Sequence, residues 1–198
     1  MIISESLKPS LQCAKAAKKA NQVLGQLSRG LTYRDKYTFT KLYKVYVRPH
    51  LQYCSSAWAP FSVADKEVLE NVQRRAVKMI SGLQGTYEEK LMSVGLVSLE
   101  ENRVRGDMIE MYKMMTGKCN VDYRKFFELA PLREGAVNTR GNSGYMNVVE
   151  PPVCRDRVRR NFFSQRCPRT WNSLPDNVKR VGTVDGFKAA YDDYKRSR

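Results

Sequence analysis

Ser10–Gly30, S-L-Q-C-A-K-A-A-K-K-A-N-Q-V-L-G-Q-L-S-R-G, sets the fold class. Cys13, Ala16, Ala17, Ala20, Val23, Leu24 and Leu27, with Leu31 just beyond, recur at spacings of three and four. Lys15, Lys18, Lys19, Gln22, Gln26 and Arg29 fall between them. At 3.6 residues per turn, this spacing puts the apolar side chains on one face of a helix and the cations on the opposite one. Gly30 is a stop signal. A long amphipathic helix with a basic outer face is expected.

Upstream, residues 1–9 are too short to fold alone, and Ile2 and Ile3 read as the tail of a strand. Downstream, Thr32 with Asp35 three residues on has the form of a capping box. It predicts a second helix with Phe39, Leu42, Tyr43 and Tyr46 inward and Arg34, Lys41, Lys44 and Arg48 outward. Pro49 removes a donor and crowds the preceding turn, so this helix should kink or stop near Arg48. Ser62 with Asp65, and Ser98 with Glu101, repeat the capping signature. The first opens a helix with core positions Val68, Leu69, Val72, Ala76, Met79, Ile80 and Leu83, and the second one with Val104, Met108, Met111, Tyr112 and Met115. T-Y-E-E-K-L-M-S-V-G-L between them predicts a short helix ended by Gly95, and the methionines read as flexible core filling.

After Gly117 the periodicity fades. V-D-Y-R-K-F-F-E-L suggests a short helix, N-T-R-G-N-S-G a loop, and Tyr145–Val149 a brief strand stopped by Pro151 and Pro152. A last helix is capped by Thr183, with Phe187, Ala190, Tyr191 and Tyr194 inward. The sequence thus predicts a mainly α fold: residues 1–9 leading in, a helical region over 10–128, and a small basic α+β unit with a short hairpin over 129–198.

With 198 residues, 42% of them apolar, a sizeable core is available. Thirty-five Lys and Arg against twenty Asp and Glu give a formal charge of +15. Such an excess repels itself in the compact state and is usually retained where a nucleic acid or other anionic surface neutralises it. It is also uneven. Residues 1–60 hold ten basic and two acidic groups, residues 61–128 eleven of each, and residues 129–198 fourteen and seven, so the two ends read as binding surfaces. Five cysteines, Cys13, Cys54, Cys119, Cys154 and Cys167, are an odd number without close pairing, and no secretory signal or membrane-spanning apolar run is seen. An intracellular, reduced protein with no membrane partner is expected.

Arg155–Pro175, R-D-R-V-R-R-N-F-F-S-Q-R-C-P-R-T-W-N-S-L-P, is the second informative stretch. It interleaves Arg155, Arg157, Arg159, Arg160, Arg166 and Arg169 with Phe162, Phe163 and Trp171. Guanidinium forks match phosphate oxygens bidentately, and aromatic faces either stack on bases or form core, the latter favoured for Phe163 and Trp171. Catalytic candidates are few. The single histidine, His50, excludes two-histidine relays, and no nucleophile elbow, P-loop or dinucleotide fingerprint is present. His50 and Cys54 stand four apart but lack the further ligands of a structural zinc site, so no metal or cofactor is expected. Asp192 and Asp193 look like a metal-binding polymerase pair, yet their flanks have helical periodicity, which predicts solvent-facing helix carboxylates.

Taken in order, L-K-P-S-L-Q-C-A-K-A-A-K-K-A-N-Q-V-L-G, L-Y-K-V-Y-V-R-P-H-L-Q-Y-C-S-S-A-W-A-P, L-E-N-V-Q-R-R-A-V-K-M-I and R-R-N-F-F-S-Q-R-C-P-R-T-W-N-S-L-P, followed by Phe187-Lys188, resemble the carboxy-terminal part of LINE-type, jockey-like retrotransposon reverse transcriptases. The resemblance spans essentially the whole chain. It implies that residues 1–9 leave the polymerase palm, that the helices form a thumb-like bundle with its extension, and that the catalytic aspartates belong to a palm and fingers outside this sequence. It further implies an RNA-directed DNA polymerase as the parent, a nuclear location, and sequence-independent grip on RNA, RNA–DNA or DNA duplex. On that basis Lys15, Lys18, Lys19, Arg29, Lys41, Lys44 and Arg48 are expected on phosphates, with Arg155, Arg157, Arg159, Arg160, Arg166 and Arg169 holding RNA or target DNA. The chain alone is expected to bind without catalysing. The alternatives are a helical protein-interaction module, domesticated from such an element or docked on its palm, and a decayed remnant.

Overall fold

A computed structural model of the chain describes residues 2, 4–131 and 145–197. They are mainly helical, as the periodicity predicts, and form two compact units, Met1–Arg103 and Val104–Arg198. The division falls at Arg103, well before the change predicted at 128. The cause is that Met108, Met111, Tyr112 and Met115 bury in the core of the second unit. Ile3 and the glycine/asparagine-rich stretch 138–144 lie outside the described residues.

In the first unit, helix α1 (Ser10–Gly30) buries Cys13, Ala16, Ala17, Ala20 and Leu24. It packs on α5 (Val63–Lys78) and on α3 (Arg48–Gln52). Side chains at a helix contact set the spacing of the axes, and the three alanines permit a close approach. Ser10 Oγ donates to Asp65 Oδ2 at 2.9 Å, and so does Ser62 Oγ at 2.6 Å, which ties the starts of α1 and α5 together. Ser62 is the N-cap predicted for α5. Buried on α5 are Leu69, Val72, Ala76 and Val77, whereas Val68, expected inside, sits one position off that stripe and is 43% exposed.

Helix α2 (Lys36–Leu42) is capped by Asp35, not by Thr32. Because the helix starts at Lys36, only the Asp35 carboxylate reaches the third helical amide, accepting from Thr38 N at 2.8 Å. This bond holds the Asp35 carboxyl below its usual range. The helix does not stop near Arg48 but loses its regularity there, in a π turn at Tyr43–Val47 that leads into α3 with Pro49 in its first turn. Pro49 cannot donate and would crowd the carbonyl four residues back, and the wider turn, with Arg48 N bonded to Tyr43 O, relieves this. The extra residue shifts the register. Tyr43 and Val47 point into the core, and Tyr46, expected there, is 53% exposed.

After α4 (Ser55–Trp58) and α5, helix α6 (Tyr87–Ser93) opens with a Thr86–Glu89 capping box. It ends where Gly95 takes φ +60° and Leu96 N returns to Leu91 O, as its glycine predicts. Ser98 and Glu101 cap α7 (Leu99–Met115) reciprocally, each backbone amide bonded to the other's side chain at 3.2 Å. Gln73, with no exposure, gathers these pieces. Its Oε1 accepts from Tyr43 OH at 2.8 Å, and its Nε2 lies 3.0 Å from Val97 O, 3.1 Å from Glu70 Oε1 and 3.2 Å from Tyr87 OH. Glu70 in turn accepts from Tyr87 OH at 2.5 Å and from Leu99 N at 3.0 Å. Burial, reinforced at Tyr87 by Glu70, pushes both phenols well above their usual pKa.

In the second unit, the end of α7 packs with α9 (Phe163–Asn172), α10 (Asp176–Lys179) and α11 (Val184–Arg196) around Trp171, Leu174, Val178, Phe187 and Tyr191. Tyr112 and Phe187 stack with centroids 4.3 Å apart. Burial of each such side chain contributes roughly 1.5–3 kcal/mol. Thr183 caps α11 as predicted, accepting from Gly186 N. Two expectations are corrected. The short helix near Tyr123 is a single 3₁₀ turn, Tyr123–Lys125, after which the chain extends. The strand at Tyr145–Val149 is reduced, among the described residues, to one antiparallel bridge, Leu129 to Val148. Met146 adopts φ 52°, Pro151 and Pro152 offer no donors, and the Asn172 amide takes both polar groups of Val148, at 3.0 and 2.9 Å.

Lys179 is 1% exposed, with Nζ 2.6 Å from Asn147 Oδ1 and 5.6 Å from the Trp171 ring centroid. Burial lowers its pKa from 10.5 to about 8, against the opposing pull of Asp176. Between these values the unfolded chain binds more protons, so this group makes stability rise with pH; below about 8 its full cost is present. The thiols of Cys13, pushed up to about 12, and Cys167, also raised by burial, act in the opposite direction, so the test is a difference. The stability of Lys179→Met relative to the parent, followed by Trp171 fluorescence in a Trp58→Phe background under urea, should decline from pH 8 to pH 10.5. A pH-independent difference would contradict it.

Candidate nucleic-acid interface

The cations of α1 lie where the helical spacing predicts. Lys15, Lys18, Lys19 and Arg29 are all exposed, and among the described residues none of them forms an ion pair. Lys15, Lys18 and Lys19 share little more than one turn, and Arg29 follows about 15 Å further along the axis. The buried apolar face fixes the helix rotation, so the charged face points to water without any partner having to hold it there.

The second basic face is more structured. Lys36, Tyr37, Thr40, Lys41 and Lys44 line a depression of about 380 Å³, closed on one side by Ser93 and Val94 at the end of α6. Lys44 Nζ donates to Gly95 O at 3.2 Å, and Lys41 Nζ lies 5.5 Å from the Tyr37 ring centroid. Arg48 is half-buried beyond the π turn and does not line this depression. Lys36, Tyr37 and Thr40 were not among the expected contacts. The spacing of Lys36, Thr40 and Lys44, four and four, is the signal that places them on one face.

The arginine stretch divides by burial. Arg155, Arg157, Arg159 and Arg160 are exposed on and beside the short helix α8 (Arg157–Arg160), whose start is capped by Asp156, and Arg169 is exposed in the last turn of α9. Phe162 is 45% exposed while Trp171 is fully buried. Arg166 has a different task from the phosphate contact expected of it. Its Nε and Nη2 both donate to Asp107 at 2.9 Å, its Nη1 donates to Asn161 O at 2.8 Å, and its guanidinium lies 5.6 Å from the Phe163 centroid. With the Asp107 side chain only 6% exposed, this fork fastens α9 to α7 inside the second unit.

Asp192 and Asp193 stand on helix α11, as their flanks predict. Asp192 accepts bidentately from Arg105, at 2.6 and 2.8 Å, and Asp193 pairs with Arg196 at 3.0 Å. His50 is half-buried on α3, just after the π turn. Among the described residues no cluster of His, Cys, Asp or Glu has the makings of a metal site, and no helix is long and apolar enough to cross a membrane. Comparison with known protein families, with curated proteins and with solved structures finds no match to this chain.

The two kinds of arginine should separate in stability. Arg166→Met strands the buried Asp107 carboxylate and is expected to cost about 3 kcal/mol. Arg159→Ala, fully on the surface, should stay within about 0.5 kcal/mol. Urea unfolding of both variants measures the contrast.

Proposed function

We propose that this chain is a nucleic-acid-binding helical region that grips the sugar–phosphate backbone, equivalent to the thumb and carboxy-terminal extension of a LINE-type retrotransposon reverse transcriptase. The observation that carries the binding half of the proposal is the outer face of α1, with Lys15, Lys18, Lys19 and Arg29 exposed and no acidic residue opposing them through an ion pair among the described residues. A face of this kind costs self-repulsion unless a polyanion neutralises it. Its side chains are long and flexible and sit on one continuous helix, which suits backbone contacts more than reading of base edges. The family half rests on the order of the quoted motifs along the chain.

On this proposal, the partners are RNA and RNA–DNA or DNA duplex, bound with little sequence preference, and polymerisation belongs to a palm and fingers outside this sequence. Asp192 held by Arg105 on a helix is consistent with a scaffold role for that carboxylate. A nuclear location follows from the family half alone. A second reading, a protein-docking module, draws on the apolar depression of about 360 Å³ lined by Val23, Leu27, Leu31, Leu42 and Tyr46.

Salt separates the two. Affinity for an RNA–DNA duplex should fall with a log–log slope of several units, each neutralised phosphate adding about 0.9 for B-form DNA. Replacing Lys15, Lys18 and Lys19 together by Gln should shallow that slope by about 2–3 and weaken all sequences alike. Binding that is absent at low salt, or indifferent to it, would overturn the nucleic-acid proposal.

A further inference from the structure

The basic depression on α2 has features that a general phosphate grip does not need. Three cations, Lys36, Lys41 and Lys44, converge on it, and no acidic residue lines it among the described residues. Asp35, next in sequence, is occupied with the amide of Thr38. Thr40 also lines the depression; it is 7% exposed, and its Oγ1 is buried with no hydrogen-bond partner. A buried hydroxyl left without a partner is unusual, because its lost hydration is uncompensated. Tyr37 lines the same space and is 73% exposed. A large ring held that far into water on a helix contributes little to the core of its own unit.

Taken together, these groups offer an oxygen-rich anion two kinds of donor and a planar ring beside them. A phosphoryl group alone would leave Tyr37 unused, and a stacked apolar ring alone would leave three ammonium groups unneutralised. We infer that the groove takes one unpaired nucleotide of a strand, with its phosphate on Lys41, Lys44 and the Thr40 hydroxyl and its base stacked on Tyr37. Lys41 lies over the Tyr37 ring, so one face of the ring is shared with a cation and the other receives the base. Of the three donors on the Lys44 ammonium, Gly95 O takes one, leaving two for the phosphate. Inside a duplex both faces of each base are covered by the neighbouring stacked pairs, and only the two terminal pairs have a free face, so this contact favours a single strand, an overhang or a bulge over a blunt duplex. The inference rests on the nucleic-acid proposal and adds to it a preference that α1 does not supply.

The test uses the full chain with three labelled or competing probes: oligothymidylate of about ten nucleotides, a blunt duplex of equal length, and thymidine monophosphate. Tyr37→Ala should weaken oligothymidylate about fivefold or more, the effect of losing one base–aromatic stack, and leave the blunt duplex within about twofold. Tyr37→Phe, which keeps the ring, should bind like the parent. Thr40→Val, of similar shape without the hydroxyl, should also weaken the single strand selectively. Equal losses on both polymers, or no loss on the single strand, would overturn the inference while duplex binding by the parent leaves the broader proposal standing. Displacement of oligothymidylate by micromolar thymidine monophosphate would overturn the assignment to a strand. A parent chain that binds neither polymer would overturn both.

Discussion

Gln73 is the contact on which the first unit depends. A side-chain amide has a carbonyl and two N–H donors to satisfy, and burying it without partners costs about 1–3 kcal/mol for each group left over. Here Tyr43, Tyr87, Glu70 and the carbonyl of Val97 meet those needs, and they come from the π turn, α6, α5 and the approach to α7. Since Tyr43 is the residue from which the π turn is counted, the same amide that anchors the core also fixes the register of the helix carrying Lys41 and Lys44. A shift of that helix by one residue would withdraw the Tyr43 hydroxyl and leave a buried acceptor exposed to nothing.

Two consequences follow for the charged surface. In the first unit Lys66 pairs with Glu100 and Arg103 is buried, but α1 holds its cations on a face whose opposite side is committed to the core, so like charges stand close together with no acidic residue on that helix. The second unit takes Arg166 and Arg105 into ion pairs with Asp107 and Asp192 and leaves the α8 arginines outside. An arginine-rich sequence thus serves partly as fastening and partly as surface. Counting cations alone overstates how many are available to a polyanion.

The helices were readable because their apolar spacing and caps agree: Ser62, Ser98 and Thr183 stand at helix starts, and Gly30 and Gly95 at or just beyond helix ends. The departures from that pattern depend on local constraints and on contacts distant in sequence. Tyr46 turns outward because Pro49 forces a wider turn before it, and the strand near Val148 is curtailed because Asn172 supplies the hydrogen bonds that a neighbouring strand would have made. Arg166 cannot be told from Arg160 by composition, since only the approach of Asp107, fifty-nine residues earlier, distinguishes them. The α2 groove is half readable, Lys41 and Lys44 by charge, Lys36 and Tyr37 only once the groove is seen, and Thr40 not at all, because a buried hydroxyl without a partner has no signature in a sequence.

The proposed phosphate path runs over the outward faces of α1 and of α2 with its π turn. Acetylation footprinting of the full chain, free and saturated with RNA–DNA duplex at low salt, addresses it directly. Lys15, Lys18, Lys19, Lys41 and Lys44 should lose reactivity several-fold on binding, and Lys113, already paired with Glu110 at 2.7 Å, should change little. Undiminished reactivity at the α1 lysines in the bound state would contradict the account.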